Sequence, residues 1–119
     1  MKQLFFTFVL LLLPTLVLAQ TSSQQEVEMT GRKSNGHSRS GLVLPVVIYS
    51  SDQNTLNIEY FSEDSYELKV QDVYGLTWFS GPLDTSGVLT EYYVNLQSNN
   101  TYFITISSAN YSFYGILEL

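Results

Sequence analysis

Apolar and polar residues alternate along most of the chain after residue 42, and this pattern constrains the fold more than any other. In the segment from Tyr66 to Gln71, for example, Tyr66, Leu68 and Val70 fall on one face and polar residues on the other. A period of two is typical of antiparallel β-strands that have one buried face. Clusters of Asn, Asp, Ser and Gly interrupt the alternation about every ten residues, a spacing that favours an antiparallel β-sandwich.

Seven or eight short strands are predicted, and no amphipathic helical period occurs outside the N-terminal apolar run. The strands cover residues 26–30, 43–49, 55–61, 66–71, 76–80, 88–96 and 102–106, with a last strand that ends at Leu119. The residues expected to face the core are Val27, Met29, Leu56, Ile58, Tyr60, Tyr66, Leu68, Val70, Tyr92, Val94, Leu96, Tyr102, Ile104, Ile106, Phe113, Leu117 and Leu119. The prediction is therefore an all-β, antiparallel two-sheet β-sandwich with an immunoglobulin-like arrangement, and a small barrel is the alternative.

The N-terminal residues have the pattern of a secretory signal peptide. Lys2 precedes an apolar run over residues 4–18, and Val17 and Ala19 occupy the small −3 and −1 positions of a signal-peptidase site. The run is shorter than the roughly 20 residues of a membrane span. We expect a signal peptide at residues 1–19 and a secreted or periplasmic chain without an integral membrane segment.

The residues after the expected cleavage site predict one domain with two polar segments. Residues 20–25 are polar and predicted to be disordered, and residues 26–119 should form the single β-sandwich domain. Within it, residues 31–41 are predicted to be a basic Gly/Ser loop, which is either a solvated linker or a contact for an anionic partner. The whole chain has a net charge of −6, which disfavours nucleic acid and anionic membrane as partners.

The sequence offers little for catalysis or metal binding. The only histidine, His37, lies in the Gly/Ser loop, where a flexible backbone would not hold productive geometry. Glu59 and Glu67 fall on predicted neighbouring strands and could approach each other, but exposed acids are usually only solvated. A zinc site is not expected, because zinc is usually bound by Cys and His side chains. Residues 52–54 and 63–64 carry side-chain oxygens that could bind calcium, but Asp and Asn are also common in turns that bind no ion. We expect no enzyme activity, no cofactor and no metal.

Aromatic residues are the one unusual feature of the composition. Of those that the predicted inner faces do not absorb, five are the candidate contacts for a ligand or partner: Tyr74, Trp78, Tyr93, Phe103 and Tyr114. Exposed aromatic rings can stack on sugars or contact proteins, although they also favour strands for packing reasons alone. Asp72 and Gly75 have the spacing of a type I turn, so Trp78 is either part of a hairpin scaffold or a surface residue beside Tyr74.

Several short motifs occur in one order along the chain: Val27-x-Met29-x-Gly31, Arg39-Ser40, Pro45-Val46-Val47, Leu56-x-Ile58, Val70-x-Asp72-x-x-Gly75, Tyr102-x-Ile104-x-Ile106 and Gly115-x-Leu117-x-Leu119. In this order the chain resembles a family of small secreted Bacteroidetes proteins, each with a signal peptide and one β-sandwich domain of unknown function. Its last two-thirds also resembles the C-terminal sorting domains of the type IX secretion system. The chain departs from those domains because it lacks a preceding cargo and a basic residue near its end. Neither resemblance implies a catalytic residue.

Two functions are consistent with these features. The first is a non-enzymatic module that binds a protein or a glycan at the cell envelope. The second is a secretion- or assembly-related domain whose final strand, Asn110 to Leu119, docks on the sheet edge of a partner.

Overall fold

The structure, a computed structural model, describes residues 23–33 and 43–119. Nine strands form within these ranges: β1 (Gln24–Val27), β2 (Met29–Lys33), β3 (Val46–Ser50), β4 (Thr55–Glu59), β5 (Tyr66–Asp72), β6 (Thr77–Leu83), β7 (Thr90–Tyr93), β8 (Thr101–Ser107) and β9 (Tyr111–Glu118). In this part of the chain, no helix is long and apolar enough to cross a membrane. The predicted signal peptide lies outside the described residues.

The nine strands form two separate sheets. The four-stranded sheet has the order β1-β3-β4-β7, and the five-stranded sheet has the order β2-β9-β8-β5-β6. Every pairing between neighbouring strands is antiparallel. The predicted two-sheet β-sandwich is therefore confirmed, and the barrel alternative is wrong because the strands do not close into one sheet.

The chain changes sheets at Glu28, which separates β1 from β2. A single strand was predicted over residues 26–30, whereas β1 pairs with β3 in one sheet and β2 pairs with β9 in the other. Val27 and Met29 are both buried, as predicted. Each of them faces the shared core from a different sheet, and this is why their spacing resembles one strand.

Backbone pairing also extends into two segments that were predicted to lack structure. β1 begins at Gln24, so the predicted disorder at residues 20–25 is wrong at Gln24 and Gln25. The predicted loop over residues 31–41 is wrong at its first three residues, which continue β2. Both segments are polar, but a strand ladder is held by N–H and C=O groups that every one of these residues carries. Residues 34–41 of that loop, with His37, lie outside the described residues.

The core lies between the sheets and consists largely of the residues predicted to face it. Two of them, Tyr92 and Leu119, are half-buried and pack against the core. The fully or almost fully buried apolar side chains are Val27, Met29, Val47, Tyr49, Leu56, Ile58, Tyr60, Tyr66, Leu68, Val70, Leu83, Val94, Leu96, Tyr102, Ile104, Ile106, Phe113 and Leu117. Burial of this apolar surface is the main stabilising contribution in a chain without cysteine.

Gly115 occupies an inward-facing position in the middle of the five-stranded sheet. It lies opposite Met29 on one side and Ile104 on the other. A β-carbon at this position would lie 2.5 Å from the sulfur of Met29 and 2.8 Å from Cγ1 of Val27. The missing side chain at Gly115 therefore permits the close approach of Met29 and Val27.

β6 runs to Leu83, so the predicted strand end at Ser80 is wrong and residues 81–83 are not loop. Among the described residues, the strand lies at an edge of the five-stranded sheet and pairs only with β5. An edge strand tolerates Pro82 because one side of its backbone needs no ladder partner. The same proline, with Gly81, makes this edge a poor template for pairing with another chain.

Candidate functional site

The five candidate aromatic residues lie in three separate places. Tyr74 and Trp78 belong to the β5–β6 hairpin, Phe103 and Tyr114 lie on the outer face of the five-stranded sheet, and Tyr93 lies on β7 at the edge of the other sheet. Tyr74 is 91 % exposed and Tyr93 is 74 % exposed, whereas Trp78 is half-buried. The five residues therefore do not form one surface, and only the hairpin combines a candidate aromatic residue with further exposed apolar side chains in a single turn.

The turn between β5 and β6 is held by the backbone and the carboxylate of Asp72. The N–H of Gly75 donates to the carbonyl oxygen of Asp72 at 3.1 Å, which closes the predicted turn. Oδ1 of Asp72 accepts from the backbone N–H groups of Tyr74 at 2.9 Å and Leu76 at 3.0 Å. Gly75 has a φ of 82°, a left-handed conformation that favours glycine. This local network fixes the turn in one conformation.

Trp78 connects the turn to the core. The register of β5 and β6 shifts between Val70 and Gln71, so Trp78 is the extra residue of a β-bulge. Its Nε1 donates to Oδ2 of Asp72 at 3.0 Å. Its ring packs edge-on against the buried Tyr102, with 5.7 Å between ring centroids. These contacts are those of a residue of the hairpin scaffold, because both the indole N–H and the ring of Trp78 are engaged within the protein.

The tip of this hairpin is an exposed apolar surface, which we call the hairpin tip and define as Val73, Tyr74 and Leu76. Val73 is 57 % exposed and Leu76 is 61 % exposed, in addition to Tyr74. Val73 and Leu76 were not among the predicted candidates. The sequence does contain a pattern that could have identified them, since three apolar residues in four positions are unusual for a turn, where polar residues and glycine dominate.

Hydrogen bonding lowers the pKa of the Asp72 carboxyl from its ordinary value of 3.8. The largest cause is the indole N–H of Trp78, and the backbone N–H groups of Leu76 and Tyr74 act in the same direction. A carboxyl whose pKa is depressed in the folded state stabilises that state above its ordinary pKa. This stabilisation is lost as the pH falls through the lowered pKa.

We therefore expect the Trp78 fluorescence of the folded protein to change as the pH falls below 3.8, when the indole loses its carboxylate partner. An Asp72→Asn variant should lack this transition, because its amide does not titrate, and should resemble the acid form at neutral pH. A pH titration of the emission maximum for both proteins measures the effect. The same transition in Asp72→Asn would assign it to another group.

A second apolar surface lies on the outer face of the five-stranded sheet. Phe103 on β8 lies opposite Ile116 on β9, and Tyr114 lies two positions before Ile116 on the same face. Phe103 is 40 % and Tyr114 is 49 % exposed. An open groove of about 310 Å³ adjoins Tyr114 and Ile116, next to Glu28 and Thr30. These side chains lie on neighbouring strands of a continuous sheet, where aromatic and branched residues commonly stabilise pleated surfaces.

The pairing of β9 contradicts docking through the final strand. β9 pairs with β8 over residues 112–118 and with β2 over residues 111–115. Along most of the strand, the backbone N–H and C=O groups are therefore engaged within the chain at both edges. Addition of a strand to a partner sheet needs a free edge, and only residues 116–118 extend beyond the ladder with β2. Three residues are fewer than a typical strand pairing requires.

The predicted approach of Glu59 and Glu67 is also wrong. Glu59 ends β4 in the four-stranded sheet, whereas Glu67 is on β5 in the five-stranded sheet. Both are exposed, and they face away from the core on opposite sides of the sandwich. Strands that follow one another in the sequence were assumed to be neighbours in one sheet, but here the connection crosses between sheets.

The oxygen-rich turn at residues 52–54 is engaged in hydrogen bonds within the protein. Oδ1 of Asp52 accepts from Oγ of Ser50 at 2.6 Å. The side-chain amide of Asn54 donates to the carbonyl of Leu96 at 3.2 Å and accepts from the N–H of Leu96 at 2.9 Å. Asn54 has a φ of 55° and links the β3–β4 turn to the segment after β7. Among the described residues, no three His, Cys, Asp or Glu side chains cluster as a metal site would require.

Comparison with known proteins supports the fold. No protein-family model matches the sequence, and no curated protein matches it. Among solved structures, the chain is similar to an immunoglobulin-like β-sandwich protein of the DUF3244 family from Bacteroides vulgatus. The TM-score is 0.59 at 13 % identity, and the match covers 79 % of this chain and 96 % of the other. The likeness shows that this chain has an immunoglobulin-like β-sandwich fold.

Proposed function

We propose that this chain is a secreted or periplasmic, non-enzymatic β-sandwich module that binds a protein partner through the hairpin tip. The observation that carries the proposal is the exposure of Val73, Tyr74 and Leu76 on a turn whose conformation Asp72 fixes. Hydration of apolar side chains is unfavourable, so a folded protein that presents three of them at one prominent turn gains from their burial by a partner.

The fixed turn favours binding because little conformational entropy remains to be lost. A flexible loop must be ordered when it binds, and each immobilised side chain or backbone segment lowers the affinity. Here Asp72 accepts from two backbone N–H groups and from the indole of Trp78 before any partner arrives. The hairpin tip is thus preorganised, and Tyr74 is one of the residue types that most often dominate binding energy at interfaces.

The chemistry of the hairpin tip favours a protein over a glycan. Sugar recognition needs polar side chains that hydrogen-bond to hydroxyl groups beside the aromatic ring. Two polar side chains beside the hairpin tip are already engaged, since the Asp72 carboxylate is held by three donors and the Gln71 amide donates to the carbonyl of Gly75 at 3.3 Å. A convex apolar turn of three residues suits a hydrophobic groove on a protein.

The N-terminal sequence supports the proposed export. The placement of the histidine and the carboxylates supports a function without enzymatic activity. Residues 1–19 combine Lys2, an apolar run and a small-residue cleavage site. The only histidine of the sequence lies in a Gly/Ser-rich segment, and the exposed carboxylates Glu59 and Glu67 lie on different sheets. The immunoglobulin-like fold is compatible with a binding role, although fold alone does not assign function.

Site-specific photo-cross-linking tests the proposal. The full chain is expressed in a Gram-negative host with p-benzoylphenylalanine in place of Tyr74 or, as a matched control, in place of the similarly exposed Tyr93. We expect a discrete cross-linked protein in the envelope fraction for position 74 only, and a mature N-terminus at Gln20. A Leu76→Ser change should reduce the cross-linked yield about tenfold, the loss expected for one central apolar contact.

Three results would overturn this assignment. Equal cross-linking from positions 74 and 93 would indicate non-specific contact. A product that contains lipid instead of protein would assign the hairpin tip to a membrane surface. Binding of the purified domain on a glycan array that is lost in Leu76→Ser would assign it to a carbohydrate. Unchanged circular dichroism of the variants shows that the domain remains folded.

A further inference from the structure

A third exposed apolar surface lies at the opposite end of the sandwich from the hairpin tip. It consists of Phe61, Val88 and Leu89, which are 71 %, 63 % and 54 % exposed, and we call it the acidic-end patch. Phe61 lies before the start of β5 and the hairpin tip lies after its end. Seven residues of strand separate the two surfaces by roughly 23 Å. No partner could cover both with one small contact.

The loops that carry the acidic-end patch are fixed by backbone hydrogen bonds. Phe61 forms a β-bridge with Ser86. On either side of this bridge, the N–H of Ser62 donates to the carbonyl of Thr85 and the N–H of Gly87 donates to the carbonyl of Tyr60, both at 3.0 Å. The two loops thus form a small additional ladder, and the side chain of Phe61 projects from it into solvent.

Further side-chain contacts hold the second loop in place. Oδ1 of Asp84 accepts from the N–H of Ser86 at 2.9 Å, and the N–H of Asp84 donates to the hydroxyl of Tyr92 at 2.8 Å. Oγ1 of Thr90 donates to the carbonyl of Val88 at 3.1 Å. Gly87 takes a φ of 90°, and a β-carbon there would lie 3.6 Å from the Phe61 ring. The patch is therefore presented in a defined arrangement.

Acidic residues flank the members of this apolar patch along the chain, and no basic residue occurs in the two segments that carry it. These two segments, residues 59–67 and 83–91, contain six acidic residues and no Lys, Arg or His. Glu59, Glu63 and Asp84 are exposed. Hydrogen bonds from Ser86 lower the pKa of Asp84, so its carboxylate stays charged at neutral pH. An apolar centre with a negative rim is complementary to an apolar segment flanked by positive charge.

We propose that the acidic-end patch docks a cationic, amphipathic protein segment, in which apolar side chains cover Phe61, Val88 and Leu89 and flanking Lys or Arg residues meet the carboxylates. A second copy of this chain is disfavoured, because its own net charge is −6. Anionic lipid and nucleic acid are disfavoured by the same repulsion. The inference stands on different residues from the hairpin tip and does not depend on the proposed function.

Binding of a defined probe tests the inference. A fluorescent peptide of alternating Lys and Leu is titrated with the mature chain, and its anisotropy is measured at low and high salt. We expect binding that weakens with salt, no binding of the analogue with Glu in place of Lys, and much weaker binding of the analogue with Ser in place of Leu. A Phe61→Ser/Val88→Ser variant should bind the Lys–Leu peptide about tenfold more weakly.

A matched pair of charge variants separates this patch from general attraction to an acidic protein. Glu59→Gln/Glu63→Gln removes two charges at the patch and should weaken binding roughly fivefold. Glu26→Gln/Glu118→Gln removes two charges from exposed positions elsewhere and should leave binding nearly unchanged. Equal losses for the two pairs, or no loss in Phe61→Ser/Val88→Ser, would overturn the inference. So would binding to phosphatidylcholine vesicles that Phe61→Ser/Val88→Ser abolishes, or concentration-dependent dimerisation that it abolishes.

Discussion

Replacing Phe113 with Ala is expected to destabilise the domain by about 3–5 kcal/mol, the usual cost of removing a fully buried aromatic ring. Phe113 is 0 % exposed and lies in the core between the sheets. Its ring centroid is 5.4 Å from that of Tyr60 and 5.9 Å from that of Tyr66. Deletion leaves a cavity beside these two tyrosines, whose rings would keep their edge-on contact with each other but lose the contact with Phe113. Since small domains are stable by only about 5–15 kcal/mol, much of the margin would be lost.

Urea unfolding monitored by Trp78 fluorescence measures this loss. Phe103→Ala is the matched control, because Phe103 is also a phenylalanine of the five-stranded sheet but lies 40 % exposed on its outer face. The control should cost less than about 1 kcal/mol. Similar losses for the two variants would contradict the assignment of Phe113 to the core and of Phe103 to the surface.

Gly115→Ala is expected to destabilise the domain by about 1–3 kcal/mol, although alanine is usually favoured over glycine in a strand. The added methyl group would meet the sulfur of Met29 at 2.5 Å, Cγ1 of Val27 at 2.8 Å and the backbone oxygen of Glu28 at 3.1 Å. A methionine side chain can move aside. The buried, branched side chain of Val27 and the backbone at Glu28 cannot move without disturbing the core and the crossing between the two sheets, so these two contacts set the cost.

Gly81→Ala is the control for the glycine substitution. A β-carbon at Gly81 would meet only the ring of Phe79, at 3.6 Å, an ordinary van der Waals distance. Its effect should therefore be close to zero or slightly stabilising, through the reduced freedom of the unfolded chain. Thermal unfolding of both variants gives the comparison, and equal stability of Gly115→Ala and wild type would show that β1 and β2 relax freely.

The sequence predicted the strands and the core well because both depend on local alternation. Tyr66, Leu68 and Val70 are buried as their period requires, and so are the corresponding residues of β8. The assignment of each strand to one of the two sheets could not be predicted from local alternation. Val27 and Met29 have the spacing of one strand, and only the positions of β3 and β9 reveal that they belong to different sheets.

The candidate site was predicted only where its chemistry is local. The turn of Asp72 and Gly75 follows from the types of two residues three positions apart, and it is present. Tyr93, Phe103 and Tyr114 were chosen because they alternate with core residues, which identifies a face but not a sheet. Tyr93 and Tyr114 consequently lie on different sheets. Val73 and Leu76 were missed because only aromatic rings were weighed as contact residues.

The pairing of β2 with β9 has a consequence for the order in which the domain can assemble. Met29 lies opposite Gly115, so this ladder joins segments that are almost as far apart in the sequence as the domain allows. Contacts of such long range form slowly, since the intervening chain must first be ordered. A chain emerging N-terminus first would hold β8 with an unpaired edge until β9 followed. During that interval, the apolar strand Thr101–Ser107 would be open to pairing with other chains, and the domain would be most prone to aggregation before its last strand is in place.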